Sequence, residues 1–284
     1  MPVPEETRAP VANISETATQ EFREELASYG WLIILGGGAF DALLLYRFGA
    51  ALFDSALFAV LFMAPWLALF GWFAHIRSKV QLQFWKAFAA SRGWTYVENK
   101  SIIGEKALLF REGSERRVLH AIEGGLARMP LSILEYQFTT GSGKHKQTHY
   151  YTVFELVFSG SFPHLYLNNQ RNGDYLPLSE RLFLPRLPLP AAFEKEFKLY
   201  APKQYEIEAL QIFSPDTLQF LLDTKWPHDF ELVERELIIV RPSHIETLEE
   251  LERECANAER LATYLAPTLN RMNFATVGTY APML

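Results

Sequence analysis

Two apolar runs between Trp31 and Ile76, broken by Tyr46-Arg47-Phe48-Gly49, constrain this chain more than any other feature. The first, Trp31 to Tyr46, is short. At ~1.5 Å per residue, about 17 residues reach ~25 Å against a hydrocarbon core of ~30 Å. The second, Ala51 to Ala74, carries no charge from Ser55 to Phe73 and meets the ~20 residues that a span needs. Trp31, Tyr46, Trp66 and Trp72 suit the interfacial belts of a bilayer. The expectation is a two-helix transmembrane hairpin over residues 29–76. The alternative, a buried soluble helical hairpin, normally keeps a polar face.

Lysine and arginine set the orientation. The connecting loop near residues 47–52 holds only Arg47. Arg77, Lys79, Lys86 and Arg92 follow the second run, and Arg8 and Arg23 precede the first. Positive flanks stay inside, so both termini are expected in the cytoplasm of a multi-pass protein of the bacterial inner membrane. Asp41 is the odd residue of the first run, where an aspartate costs ~2.5–3.5 kcal/mol on insertion scales. Gly38 and Ala42 beside it form a small-xxx-small step that permits close helix packing. Asp41 is the one candidate site residue, as an intramembrane polar contact, an oligomer contact or a proton or ion site. A merely tolerated carboxyl is the plain alternative. Asp54 belongs at the interface.

Composition narrows the functional classes. The net charge of −6 over 284 residues argues against a nucleic-acid binder, which normally shows a basic face. A single cysteine, Cys255, excludes an intramolecular disulfide and a cysteine-cluster metal site, and fits a reducing compartment. No cleavable signal peptide is visible in the acidic leader. The roughly 205 residues after the hairpin suffice for one ordinary core or two small ones.

The leader, residues 1–28, reads as partly disordered through residue 20, with a short helix from Glu16 to Ser28. The expected domain after the hairpin covers residues 77–284 and begins with a helical stem, 77–92, whose Val80, Phe84, Trp85 and Phe88 recur at helical spacing before Gly93 ends it. A β-rich stretch follows. Trp94–Glu98, Ala107–Arg111 and Arg117–Ile122 read as short strands. Leu131–Thr140 and His149–Ser159 form the clearest hairpin, turning at Gly141–Lys144, and Pro163–Asn168 is a further strand before the loop Asn168–Asp174. Pro185, Pro188 and Pro190 mark a stiff connector whose first two prolines match a PxxP spacing. Phe193–Tyr200 alternates like a strand. Ser214-Pro215 caps a helix with Leu218, Leu221 and Leu222 on one face. Phe230–Val240 reads as a strand or a tight hairpin through Glu234-Arg235. Ser243-His-Ile-Glu246 has the form of a capping box opening a last helix with Ile245, Leu248, Leu251, Cys255, Ala258, Ala262 and Leu265 on its apolar face. The fold class is therefore α+β: a membrane hairpin, then a mainly antiparallel β domain with packed helices, including a long C-terminal one. A small barrel capped by that helix is one architecture it allows.

The segment Phe193-Glu-Lys-Glu-Phe-Lys-Leu-Tyr-Ala201, then Glu208-Ala209, then Ser214-Pro215 and Leu221, resembles the signature of the bacterial family known as domain of unknown function 3137. Leu199, Leu210 and Ser214 depart from that pattern, where valine, arginine and threonine are usual. The resemblance implies apolar spans ahead of a soluble domain and brings no assigned catalytic residues. Glu208 reads as a surface or strand-end carboxylate, with a functional role as the alternative.

No motif carries recognisable catalysis, and no cofactor, metal site or catalytic residue is expected. Gly141-Ser-Gly-Lys144 fails as a phosphate loop, because Phe138 stands where glycine is needed and His145 where serine or threonine is. His145 and His149, with His120 and His164 on other strands, lack the acidic partner and spacing of a zinc site. The basic tip Lys144-His-Lys146 reads as a solvated turn, or as a contact to anionic lipid. The leading expectation is a membrane-anchored cytoplasmic binding or scaffold module that recruits a protein or lipid. Its expected partners are the lipid bilayer and a protein or a second copy, with no nucleic acid. The alternatives are an enzyme using converging groups such as Glu135, His149 or Glu155, and a membrane sensor or transport accessory using Asp41.

Overall fold

The computed structural model describes residues 12–48, 56–101, 107–173 and 184–273. The expected loop near residues 47–52 lies largely outside them, as do Asp54 and the first eleven residues of the leader. The chain divides into two compact units: residues 1–88 with 246–249, and residues 89–245 with 250–284.

The helical unit begins at α1 (Ile14–Glu25), where disorder was expected through residue 20. Asn13 caps it by accepting from the Glu16 amide at 3.1 Å. A π-type turn, Leu26–Gly30, leads into α2 (Trp31–Phe48), and α3 runs from Ala56 to Ser91 with Pro65 inside it. Phe22 of α1 meets Trp72 and Phe73 of α3 edge-on at 5.6 and 5.2 Å, and the Trp72 indole donates to Glu25 at 2.9 Å. Residues 246–249 belong here because Ile14 N bonds Glu246 O and Leu248 N bonds Ala12 O, both at 2.8 Å. Arg77 closes on Glu246 at 2.5 Å.

The transmembrane hairpin is corrected by this unit. Among the described residues, no helix is long and apolar enough to cross a membrane. The 18 residues of α2 reach only about 27 Å, and three glycines, Asp41 and Arg47 dilute them. The later half of α3 turns amphipathic, burying Ile76, Val80, Phe84, Trp85 and Phe88 while Arg77, Lys79 and Lys86 punctuate the same helix. The membrane anchor, the multi-pass topology and the inner-membrane location fall with the spans on which they rested.

The β unit is α+β with an antiparallel sheet. Its strands are β1 (Thr95–Val97), β2 (Ser114–Leu126), β3 (Met129–Thr140), β4 (Gln147–Asn169), β5 (Arg186–Leu187), β6 (Phe197–Tyr200) and β7 (Asp229–Pro242). They pair in the order β1-β2-β3-β4-β6-β5, with β7 along the other edge of β4. Strand β4 organises the sheet: β3 pairs its first half, β6 its last residues, and β7 most of its length. Among the described residues the unit also holds α4 (Ala191–Glu194), α5 (Glu206–Ile212), α6 (Pro215–Asp223) and α7, which begins at Leu248 in the other unit and runs to Leu269. Ser214 caps α6 as its sequence dictates, accepting from the Thr217 amide at 3.4 Å. On α7, Leu251, Cys255, Ala258, Leu261, Ala262 and Leu265 are buried, the stripe that a helix lying on its own sheet needs.

Several local readings change. Ala107–Arg111 is not a strand: Leu108–Arg111 is a 3-10 turn that buries Leu109 and Phe110 with Ala121, Leu134, Tyr136, Phe138, Val153, Ile238 and Val240 in the main core. Phe193 lies in α4, and only Phe197–Tyr200 of that alternating run is strand. Pro163–Asn168 continues β4, and β7 passes through Glu234 unbroken, absorbing it at φ 55° beside a register shift. Ser243 does not cap α7. It has φ 83°, five residues before the helix begins.

Candidate functional site

Two places stand out, one in each unit. In the β unit, register puts His120 opposite Glu135, Glu135 opposite Thr152, and Thr152 opposite Arg241. Directly paired residues share a face, so these four make a polar row across β2, β3, β4 and β7, on the face opposite the main core. Glu135 is wholly buried. His244 Nδ1 bonds its Oε1, and His120 Nε2 stands 3.9 Å from its Oε2. The other nitrogen of His120 meets the Tyr96 hydroxyl at 2.9 Å.

Backbone contacts hold His244 in place. Ser243 N donates to Tyr150 O at 2.8 Å, Thr152 Oγ1 donates to Ser243 O at 3.1 Å, and Arg241 Nη1 donates to the carbonyls of Ser243 and His244 at 3.2 and 2.7 Å. The Tyr150 ring lies 4.1 Å from that of His244. Arg241 then turns to α7, bonding Glu250 and lying 3.8 Å from Glu254. Glu254 in turn takes His228 at 2.7 Å and Asn257 at 3.0 Å. The row thus ties the sheet to the helix over it.

Burial lowers the pKa of His120 below its ordinary value, against the pull of Glu135 and with the push of His244. Burial also raises the Tyr96 phenol, helped by Glu98 and Glu135. His120 is accordingly the neutral acceptor and Tyr96 the donor, a tautomer assigned from the partners. Burial raises Glu254 too, but His228, Asn257 and Arg241 outweigh it and the carboxyl ends below its usual range.

The other candidates disperse. Glu135, His149 and Glu155 do not converge. His149 bonds Thr140 Oγ1 at 2.7 Å and stacks on Phe138, on the opposite face from Glu135. Glu155 shares His149's face but lies six residues away, about 20 Å along the strand. His164 serves Glu231, whose two oxygens also accept from the Leu108 amide at 3.1 and 2.9 Å, a pin for the 3-10 turn. Among the described residues no group of three His, Cys, Asp or Glu could hold a metal ion. Cys255 is buried, and burial pushes its thiol up to about 12, so it is no nucleophile. Glu208 lines a shallow surface depression with Gln211, Pro267, Thr268 and Arg271.

In the helical unit, the described side chains of α2 bury a narrow stripe, with Asp41 and Leu44 buried and Gly37 half-buried. A Cβ at Gly37 would stand 2.7 Å from the Pro65 side chain, so α2 and α3 cross closely there. One turn on, the Trp66 indole donates to Asp41 Oδ2 at 3.2 Å, while the buried Oδ1 has no partner among the described residues. The small residue that permits the crossing is Gly37, not Gly38, beside which nothing lies within 4 Å. Outside the stripe the apolar side chains face outward: Leu35 is 63% exposed, Leu43 62%, Tyr46 88% and Phe70 72%, with Val60, Met63, Trp66 and Leu67 also exposed.

Asp41 stands out in the sequence as a charge within an apolar run; the cluster around Glu135 does not. Its signal was the two-residue turn Ala127-Arg128, both at positive φ, which fixes Leu126 against Met129 and hence His120 against Glu135.

No family model matches the chain, and no curated protein matches it. Among solved structures it is similar to the mycobacterial trehalose monomycolate transport factor A. The two are 11% identical with a TM-score of 0.44, over 63% of this chain and 92% of that one. A likeness at that level does not establish a shared fold.

Proposed function

We propose that the chain is a binding or scaffold module that recruits a protein or lipid through the outward apolar sides of α2 and α3. The observation behind this reading is the exposure of Leu35, Leu43, Tyr46, Val60, Leu67 and Phe70 on two adjacent helices. Each exposed apolar Å² forgoes about 25 cal/mol of burial, and large apolar side chains gathered in solvent on neighbouring helices mark an interaction surface. A helix that is apolar beyond its packing stripe needs a second apolar body against it. The dispersal of Glu135, His149 and Glu155 favours binding over catalysis. The resemblance of Phe193–Leu221 to domain of unknown function 3137 is part of the same proposal and adds no catalytic residue to it.

The test uses the full chain, purified in mild detergent, beside Leu43→Gln/Leu67→Gln. Light scattering after detergent dilution reads self-association, and co-sedimentation with phosphatidylcholine and phosphatidylglycerol vesicles reads lipid. The wild type associates in at least one assay, and the double variant loses at least about tenfold in affinity. A wild type that stays monomeric and ignores vesicles, yet binds no protein in cross-linking from cells, overturns the reading.

A further inference from the structure

We propose that the occupant of the outward face of α3 is a second copy of this chain, docked helix to helix across a two-fold axis, which rests on the recruiting role given above to the outward helix faces. At ~100° per residue, the exposed Val60, Met63, Leu67 and Phe70 recur at steps of three and four and line up as one ridge. The ridge lies on the far side of α3 from Pro65, which stands against Gly37 of α2, from Trp72, which meets Phe22 of α1, and from the buried Ile76. Roughly a quarter turn around the helix from the ridge run Ala64, Ala68 and Gly71, all exposed. They form a shallow groove, and a Cβ added at Gly71 meets nothing within 4 Å.

Large side chains beside small ones make this face complementary to itself. A two-fold interface brings the same patch of both subunits together, so the ridge of each copy enters the groove of the other, as close helix packing requires. Charge points the same way. No Asp, Glu, Lys or Arg occurs between Ala56 and Phe73. Charges flanking a helix seam select a different partner and set its direction, and here the ridge is flanked by Ala64 and Gly71 on one side and Trp66 on the other. A partner helix with charged flanks would set them against these apolar groups without a counter-charge, whereas a second α3 brings none. On the side of α2 away from α3, by contrast, Leu35 and Tyr46 are separated by Ala39 and Ala42, so large side chains do not follow one another there.

Sedimentation of the full chain after detergent dilution, with Gly71→Leu beside it, tests the second copy. The substitution fits the free chain, because the site is open, but it fills the groove. Merely apolar attachment would be strengthened or unchanged by the added leucine. The wild type sediments as a dimer, and Gly71→Leu loses at least about tenfold in dimer affinity. Position 67 stands mid-ridge and meets its own copy whether the two helices run parallel or antiparallel. In a Cys255→Ala background, Leu67→Cys therefore cross-links into a dimer on mild oxidation, and Leu35→Cys on α2 does not. A monomeric wild type, undiminished dimerisation of Gly71→Leu, no cross-link through Leu67→Cys, or an equal one through Leu35→Cys each overturns the inference. If a monomeric wild type still binds vesicles or a different protein, the recruiting face stands and only its occupant is wrong; if it binds nothing, both fall.

Discussion

In the helical unit Leu43 and Phe70 stand in solvent while the carboxylate of Asp41 is shut between two helices. In the β unit aromatic rings fill the interior, yet Glu135 and Glu231 are more deeply buried than Asp41. The carboxylates differ in company. Glu231 receives the Leu108 amide on both oxygens and His164 besides, and Glu135 has an imidazole beside each oxygen. Asp41 has an indole on one oxygen and nothing among the described residues on the other. A satisfied buried carboxylate specifies one arrangement of its neighbours, whereas a half-satisfied one is held at a cost.

That contrast gives opposite signs for similar substitutions. Glu231→Ala strips both the Leu108 amide and His164 of their acceptor in a dry site. It should lower the stability of the chain by about 3 kcal/mol in urea unfolding, with the 3-10 turn at Leu108–Arg111 exchanging first. Asp41→Leu removes the lone oxygen and leaves the half-exposed Trp66 N–H to water. Stability should rise by about 1 kcal/mol; a fall of similar size would mean that Asp41 is as well satisfied as Glu231, and the comparison would break.

A third test separates the units by pH. Because the folded pKa of His120 is depressed, the unfolded state takes up a proton first as pH falls through the ordinary value of 6.5. Stability therefore declines below that pH until the folded-state pKa is reached. Replacing His120 with Asn should flatten this part of the pH–stability curve. Glu254, also depressed, adds a separate loss that begins near the ordinary carboxylate value of 4.5. The smallest effect belongs to the outward helix faces. Leu43→Gln/Leu67→Gln should change the unfolding free energy by no more than about 0.5 kcal/mol while weakening association at least about tenfold. A large loss of stability there would mean that these side chains already have partners within the chain.

What the sequence disclosed follows the same division. Local chemistry was legible: Ser214-Pro215 at the start of α6, the aromatic arms of β3 and β4 around Gly141–Lys144, the buried stripe of α7. Asp41 was legible because a charge in an apolar run is conspicuous. The helical hairpin was legible as helices, but apolarity alone did not establish spans. The cluster at Glu135 was hidden because its register depends on a turn built from Ala127-Arg128 rather than from Asn-Gly, the dipeptide that normally announces such turns. His244 was misplaced for a related reason, since Ser243-His-Ile-Glu246 has the letters of a capping box while Ser243 adopts φ 83°. Phe193 alternated with its neighbours like a strand residue, and the tertiary packing of α4 overrode that pattern.

Gly160 on β4 carries a consequence of its own. A Cβ there would run into the carbonyls of Leu269 and Met272, where Ser161 N meets Met272 O at 3.0 Å and Asn270 takes Ser159. The last turn of α7 is thus seated at backbone distance from the sheet, with no side chain as a cushion. In evolutionary terms position 160 has no neighbouring states. Even alanine demands that the strand or the helix end give way, so divergence among descendants of this chain must go around that residue.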